Sequence, residues 1–145
     1  MMARPLAVIL LIFFISGCRT GGILLQETPL GASETRRTIV SVIGEPLSMS
    51  KSGNELISHY YDRKGSRIEK MDTAKERFYT VVTILNDRRP YDLRVEVFHE
   101  IRDLEGGFES RGQDDDRASL TAEKIKQALN QSRDKRNVID DFRSF

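Results

Sequence analysis

Tryptophan is absent, cysteine occurs once and histidine only twice in the 145 residues. A single thiol cannot close an internal disulfide, and it rules out a cysteine-rich metal site. The chain must therefore rest on an ordinary apolar core. An excess of charge is missing too, since 23 Lys and Arg against 22 Asp and Glu leave a formal +1. A nucleic-acid partner needs a basic face, and a membrane-binding patch needs a polybasic run; this balance argues against both. No Gly-rich phosphate loop, nucleophile elbow or His-plus-Glu metal helix occurs, and no internal repeat. These absences point to a non-enzymatic protein with no cofactor and no metal.

Long apolar runs are scarce as well. The run from Leu6 to Ile15 covers about ten residues, roughly 15 Å as a helix, or half of a ~30 Å hydrocarbon core. It follows Arg4 and gives way to Ser16 and Gly17. A basic start, a short apolar middle and a small-residue exit describe a secretory signal, not a span. The exit reads Ile15-Ser16-Gly17-Cys18 and resembles the lipobox of bacterial lipoproteins. In that family the cysteine is acylated and the signal is cut just before it. The resemblance implies that residues 1–17 are removed and that Cys18 carries acyl chains into the membrane. The removed segment holds Arg4, so the mature chain is formally neutral. Arg19 follows the cysteine, where an Asp would commonly signal inner-membrane retention, so the expected location is the outer membrane, facing the periplasm.

Residues 18–32 are punctuated by Gly and Pro and read as a tether, although Ile23-Leu24-Leu25 is more apolar than a linker requires. A single α+β domain is expected over 33–145. Ser33 can cap a helix, Glu34 suits its first turn, and Ile39, Val40 and Ile43 share one side. Gly44 and Pro46 then stop it. Glu55 to Asp62 reads as a strand, and residues 66–76 as a polar excursion. Arg77 to Leu85 is β-branched and apolar on both faces, hence a central strand. Tyr91 to Ile101 alternates: Leu93, Val95, Val97 and His99 point one way, Arg94, Glu96 and Glu100 the other, with Phe98 apolar among the polar set. "FESRG" is a short edge strand. Asp114 to Asp116 leads into a helix striped by Ala118, Ala122, Ile125 and Leu129. The expected architecture is a small antiparallel sheet of three to four strands against an N-terminal and a C-terminal helix.

Few residues invite chemistry. His99 faces the core, where a hydrogen-bonded structural role is the default, and His59 has no evident metal-ligand companion. The three acids before the last helix favour its N-terminal dipole without any ligand. Arg36-Arg37 and Arg88-Arg89 read as solvated surface. Partner contact is more plausible at Phe98 and along the amphipathic tail, where Val138, Ile139, Phe142 and Phe145 form a stripe. Such a tail docks either on the sheet face around Phe98 or on a partner.

From Ser33 to Ile101, "SETRRTIVSVIGEP", the strand ending "HYYD" and two long strands resemble the small lipoproteins of the outer-membrane β-barrel assembly machinery (the SmpA/BamE type). That family closes a helix with a Gly-x-Pro turn, here Gly44-Glu45-Pro46, before a three-stranded antiparallel sheet. The helix from about Ala118 and the tail are additional to its pattern. The resemblance implies a scaffold or accessory in envelope assembly, with an envelope protein as partner. The alternative is a lipid or small-ligand carrier with an apolar cleft. Oligomeric state is open.

Overall fold

A computed structural model describes residues 21–142, with side chains through Arg136. The order is β1 (Ile23–Thr28), α1 (Ala32–Ile43), β2 (Ser48–Met49), β3 (Glu55–Ile57), β4 (Glu76–Ile84), β5 (Tyr91–Arg102), β6 (Phe108–Gln113) and α2 (Asp115–Phe142). One turn of 3₁₀ helix, Met71–Thr73, interrupts the long β3–β4 connection. All pairings are antiparallel, in one six-stranded sheet ordered β1-β5-β4-β3-β2, with β6 also on β5. The α+β class and the two terminal helices match the expectation. The sheet, however, has six strands, not three or four.

The two extra strands are β1 and β2. β1 lies inside the expected tether, where Gly and Pro at its ends masked a strand. Ile23 and Leu25 sit opposite Val95 and Leu93 and turn inward, while Leu24 stays exposed. Leu30, just beyond, is fully buried. β2 is only two residues long, too short for any periodicity to register.

β4 and β5 form the frame, paired in unbroken register from Glu76↔Ile101 to Ile84↔Leu93. Alternation sends Phe78, Thr80, Val82 and Ile84 of β4 to the same side as Val97, Val95 and Leu93 of β5. Both helices cover that side. Ile39 of α1 and Ala122, Ile125 and Leu129 of α2 join Leu56, Val82, Leu93 and Val95 in one buried cluster. Fully burying each such Leu, Ile or Val contributes roughly 1.5–3 kcal/mol. The helices run antiparallel, since Thr38 meets Ser132 and Glu34 pairs with Arg136.

Local signals explain the helix ends with one exception. Gly31, not Ser33, is the residue before α1, and no side chain caps it. Gly44 stops α1 with φ 81°, and its N–H donates to the Val40 carbonyl at 2.9 Å. Asp114 caps α2, its Oδ1 accepting from the Arg117 N–H at 2.9 Å. Arg36 is not merely solvated: its Nε donates to the Gly53 carbonyl at 2.7 Å and so clamps the β2–β3 turn onto α1. Among the described residues no helix is long and apolar enough to cross a membrane.

Candidate functional site

The sheet has a second face, which neither α1 nor α2 covers. Strand parity sends Arg77, Tyr79, Val81 and Thr83 of β4 there, opposite Glu100, Phe98, Glu96 and Arg94 of β5. Tyr79 and Phe98 stack with ring centroids 5.1 Å apart and planes 18° from parallel. Phe98, named from sequence as the apolar residue on a polar face, thus sits at the centre of an aromatic patch.

Two register shifts enlarge this patch. Ile57 pairs with Val81, but Tyr61, not Tyr60, bridges to Phe78. Four steps of chain on one side therefore face three on the other, which is a β-bulge. Ser58 supports it: its N–H donates to the Thr80 carbonyl and its Oγ accepts the Thr80 N–H, both at 2.9 Å. A bulge inverts the parity of everything beyond it. Tyr60 consequently turns to the uncovered face, and Tyr61 to the helix side. The same device operates in β6, where His99 pairs with Gly112 but Glu100 pairs with Ser110, leaving Arg111 over. Gly112 adopts φ 95°, a conformation that favours glycine. Beyond this shift Phe108 lies opposite Arg102, on the uncovered face.

Tyr60 and Phe108 arrive from opposite edges and enclose one cation. The Arg77 guanidinium carbon lies 3.9 Å from the centroid of each ring. Its Nε donates to Glu100 Oε2 at 2.5 Å, with the two side chains 17 and 16% exposed. Its remaining edge reaches Met71 Sδ at 3.9 Å. Arg102 stacks more loosely on Phe108, at 5.2 Å, and its Nη2 donates to the Met71 carbonyl. Tyr60 meets Tyr79 edge-on at 5.7 Å. The result is a row Tyr60–Arg77–Phe108 beside a stacked Tyr79–Phe98 pair. Burial, together with the Glu100 charge, pushes the Tyr79 phenol above its ordinary range, so it remains a neutral donor. Half-buried aromatics and arginines of this kind are the side chains enriched in protein–protein interfaces.

On the helix side His99 stacks on Phe78 at 4.4 Å, and its Nε2 meets Glu76 Oε2 at 3.0 Å. Glu76 also pairs with Arg63. The hydrogen bond from Arg63, with the one to His99, holds the Glu76 carboxyl below the usual carboxylate range. His99 is thus a part-buried histidine, hydrogen-bonded on the helix side of the sheet. Asp114 is consumed as the α2 cap and by Arg117 at 3.3 Å. Among the described residues no three His, Cys, Asp or Glu side chains gather as a metal site would need.

Cys18, the signal 1–17 and Phe145 lie outside the described residues. Val138, Ile139 and Phe142 fall in the last turns of α2, beyond the described side chains. α2 continues through them without a break, so the tail is the end of that helix, not a separate short one. The helix packs its stripe on the face opposite Phe98. Where the Val138, Ile139, Phe142 and Phe145 side chains dock lies outside the described residues. Tyr60, Arg77 and Phe108 were missed as site residues because bulges, not alternation, assemble them.

Comparison of the chain with protein-family models, with curated proteins and with solved structures finds no match.

Proposed function

We propose that this chain is a lipid-anchored envelope lipoprotein that works without catalysis, as a scaffold or assembly accessory. Its anchor is Cys18 and its contact surface is the uncovered face of the sheet, with an envelope protein as partner at the periplasmic side of the outer membrane. The observation that carries this reading is the row Tyr60–Arg77–Phe108 beside Tyr79–Phe98, held by two bulges on a face that neither α1 nor α2 covers. Acyl chains stabilise membrane attachment by about 0.8 kcal/mol per buried methylene, so two or more chains make a stable anchor where one would be marginal. Anchoring then concentrates the contact surface near membrane partners.

The carrier alternative has less support. Clefts beside α2 measure about 240 and 230 Å³, below the roughly 300–1,000 Å³ of sites that engulf a small molecule. A larger concavity of about 700 Å³, at the β4–β5 loop 85–90 with Gln26, Glu27 and Asp92, is lined mostly by polar and charged residues rather than by an apolar wall.

Photo-crosslinking in intact cells tests the proposal. A crosslinker at Phe98 is expected to give a discrete adduct that one at Lys126, on α2, does not. The adduct should be lost in Cys18→Ser, which lacks the acyl acceptor and should remain uncleaved or become soluble. Equal adducts from both positions would refute the contact face, and a Cys18→Ser chain that still fractionates with membranes and matures normally would refute the anchor.

A further inference from the structure

The two helices differ greatly in length, 12 residues for α1 and 28 for α2. Because they run antiparallel, the first turns of α2 extend past the C-terminal end of α1. There the helix side of the sheet is covered by one helix only, which leaves a cleft of about 240 Å³. Its floor is Ser58, Tyr61 and Thr80, and Val42, Ile43 and Leu120 contribute apolar wall.

The polar character of this cleft has one sign. Lys64, Arg117 and Lys124 line it, and no acidic side chain does. Arg117 is fixed over the Phe78 ring at 4.1 Å, with its Nη2 on the Arg63 carbonyl at 2.8 Å and its Nε toward Asp114. Lys64 and Lys124 form no ion pair among the described residues. The floor also offers a free donor. Tyr61 and Thr80 share one hydrogen bond between their hydroxyl oxygens, at 3.0 Å. Two hydroxyl protons are present and one is used between them. The other has no acceptor among the described residues, although Thr80 is only 3% exposed. A hydroxyl proton left over beside three basic side chains can be given to an acceptor that carries negative charge, which those side chains would also attract.

We propose that this cleft binds a phosphate ester, its phosphate oxygens between the basic side chains and the Tyr61–Thr80 hydroxyl pair, and its carbon portion along Val42, Ile43 and Leu120. The volume suits a headgroup-sized fragment and leaves the rest of the ligand outside. Such a group comes either from an anionic lipid or from a soluble ester. The site lies on the opposite side of the sheet from the contact face and does not depend on it.

Amide chemical shifts of the ¹⁵N-labelled full chain in non-ionic detergent test this, with three probes: glycerol 3-phosphate, dihexanoyl phosphatidic acid, and dihexanoylglycerol, which lacks the phosphate. Shifts at Thr80, Tyr61 and Leu120, with Gly106 unmoved, are expected from at least one phosphate probe. Response to both phosphates shows that the ester alone suffices; response to the lipid alone identifies a lipid headgroup, and to glycerol 3-phosphate alone a soluble ester. The exposed pair Lys64→Gln and Lys124→Gln should leave the fold intact and weaken binding by about tenfold. No shift with either phosphate, an equal response to dihexanoylglycerol, or unchanged affinity in the double variant would overturn the proposal.

Discussion

Replacing Arg77 with Met tests whether the enclosed cation organises the uncovered face. Met keeps an unbranched stem between Tyr60 and Phe108, and its sulfur–ring contacts of about 0.3–1.5 kcal/mol offset much of the two lost cation–π contacts, about 0.5–1 kcal/mol each. The larger loss is at Glu100, 16% exposed, which keeps its charge without a partner. Breaking a buried pair costs about 3–5 kcal/mol, and this one retains some solvent, so about 3 kcal/mol is expected. For a chain of this size that is a fall of about 10 °C in Tm. Removing both charges, as Arg77→Met with Glu100→Gln, leaves no orphan carboxylate and should cost only about 1 kcal/mol. Glu100→Gln alone should cost about 1 kcal/mol, because the amide oxygen still accepts from Arg77 but without charge. Urea denaturation of the wild type, both single variants and the double variant is therefore expected to give a coupling energy of about 3 kcal/mol. If the double variant costs the sum of the singles, the pair is energetically inert and the reasoning fails.

Three further outcomes are expected. Val97→Asp should unfold the domain, because it buries a carboxylate at a fully buried site at a cost of several kcal/mol; Glu96→Lys, whose wild-type carboxylate accepts an exposed hydrogen bond from Gln113, should change Tm little, and equal stabilities would mean the faces are reversed. Ser58→Ala should cost about 1–3 kcal/mol in urea melts, since the buried Thr80 N–H loses its side-chain acceptor; a neutral result would remove Ser58 from the support of the bulge. Glu76 has a lower pKa folded than unfolded, so the unfolded chain takes up its proton first as pH falls. Its contribution is present at neutral pH and lost downward through the acid range. Glu76→Gln should flatten that part of the stability profile, and an unchanged profile would show that the Arg63 and His99 contacts are not maintained in solution.

The elements legible in the sequence are those whose periodicity runs longest. β5 alternates over most of its length, β4 carries a β-branched apolar run, and α2 spaces four buried residues at helical intervals. Each pattern records one solvent boundary, and each boundary exists in the fold. The proposed contact face was legible only at Phe98, an apolar residue among polar neighbours. Tyr60 and Phe108 stand at positions whose parity, counted along an unbroken strand, points to the helix side. One extra residue near Ser58 and another at Arg111 reverse that parity, and the pairing partners that reveal an extra residue are distant in sequence. The short β2 and the Gly-flanked β1 escaped for a related reason: their stability comes from pairing with Leu56 and Ile57 and with β5, not from a pattern of their own.

Pairing of β1 with β5 also fixes how far the domain can stray from its proposed anchor. The folded sheet begins at Ile23, so the leash back to Cys18 is five peptide steps rather than the fifteen-residue tether that composition implied. At a contour of about 3.3–3.6 Å per residue, it reaches no more than about 18 Å. With acyl chains on Cys18, the domain would ride against the bilayer surface instead of sweeping the periplasm. Only partners that present themselves within about one domain's breadth of the membrane could be reached. The leash also joins β1 opposite Val95, near the middle of β5, so the proposed membrane attachment would pull on the flank of the sheet. The face left open by α1 and α2 would then stand upright to the lipid, accessible to neighbours beside the domain rather than beneath it.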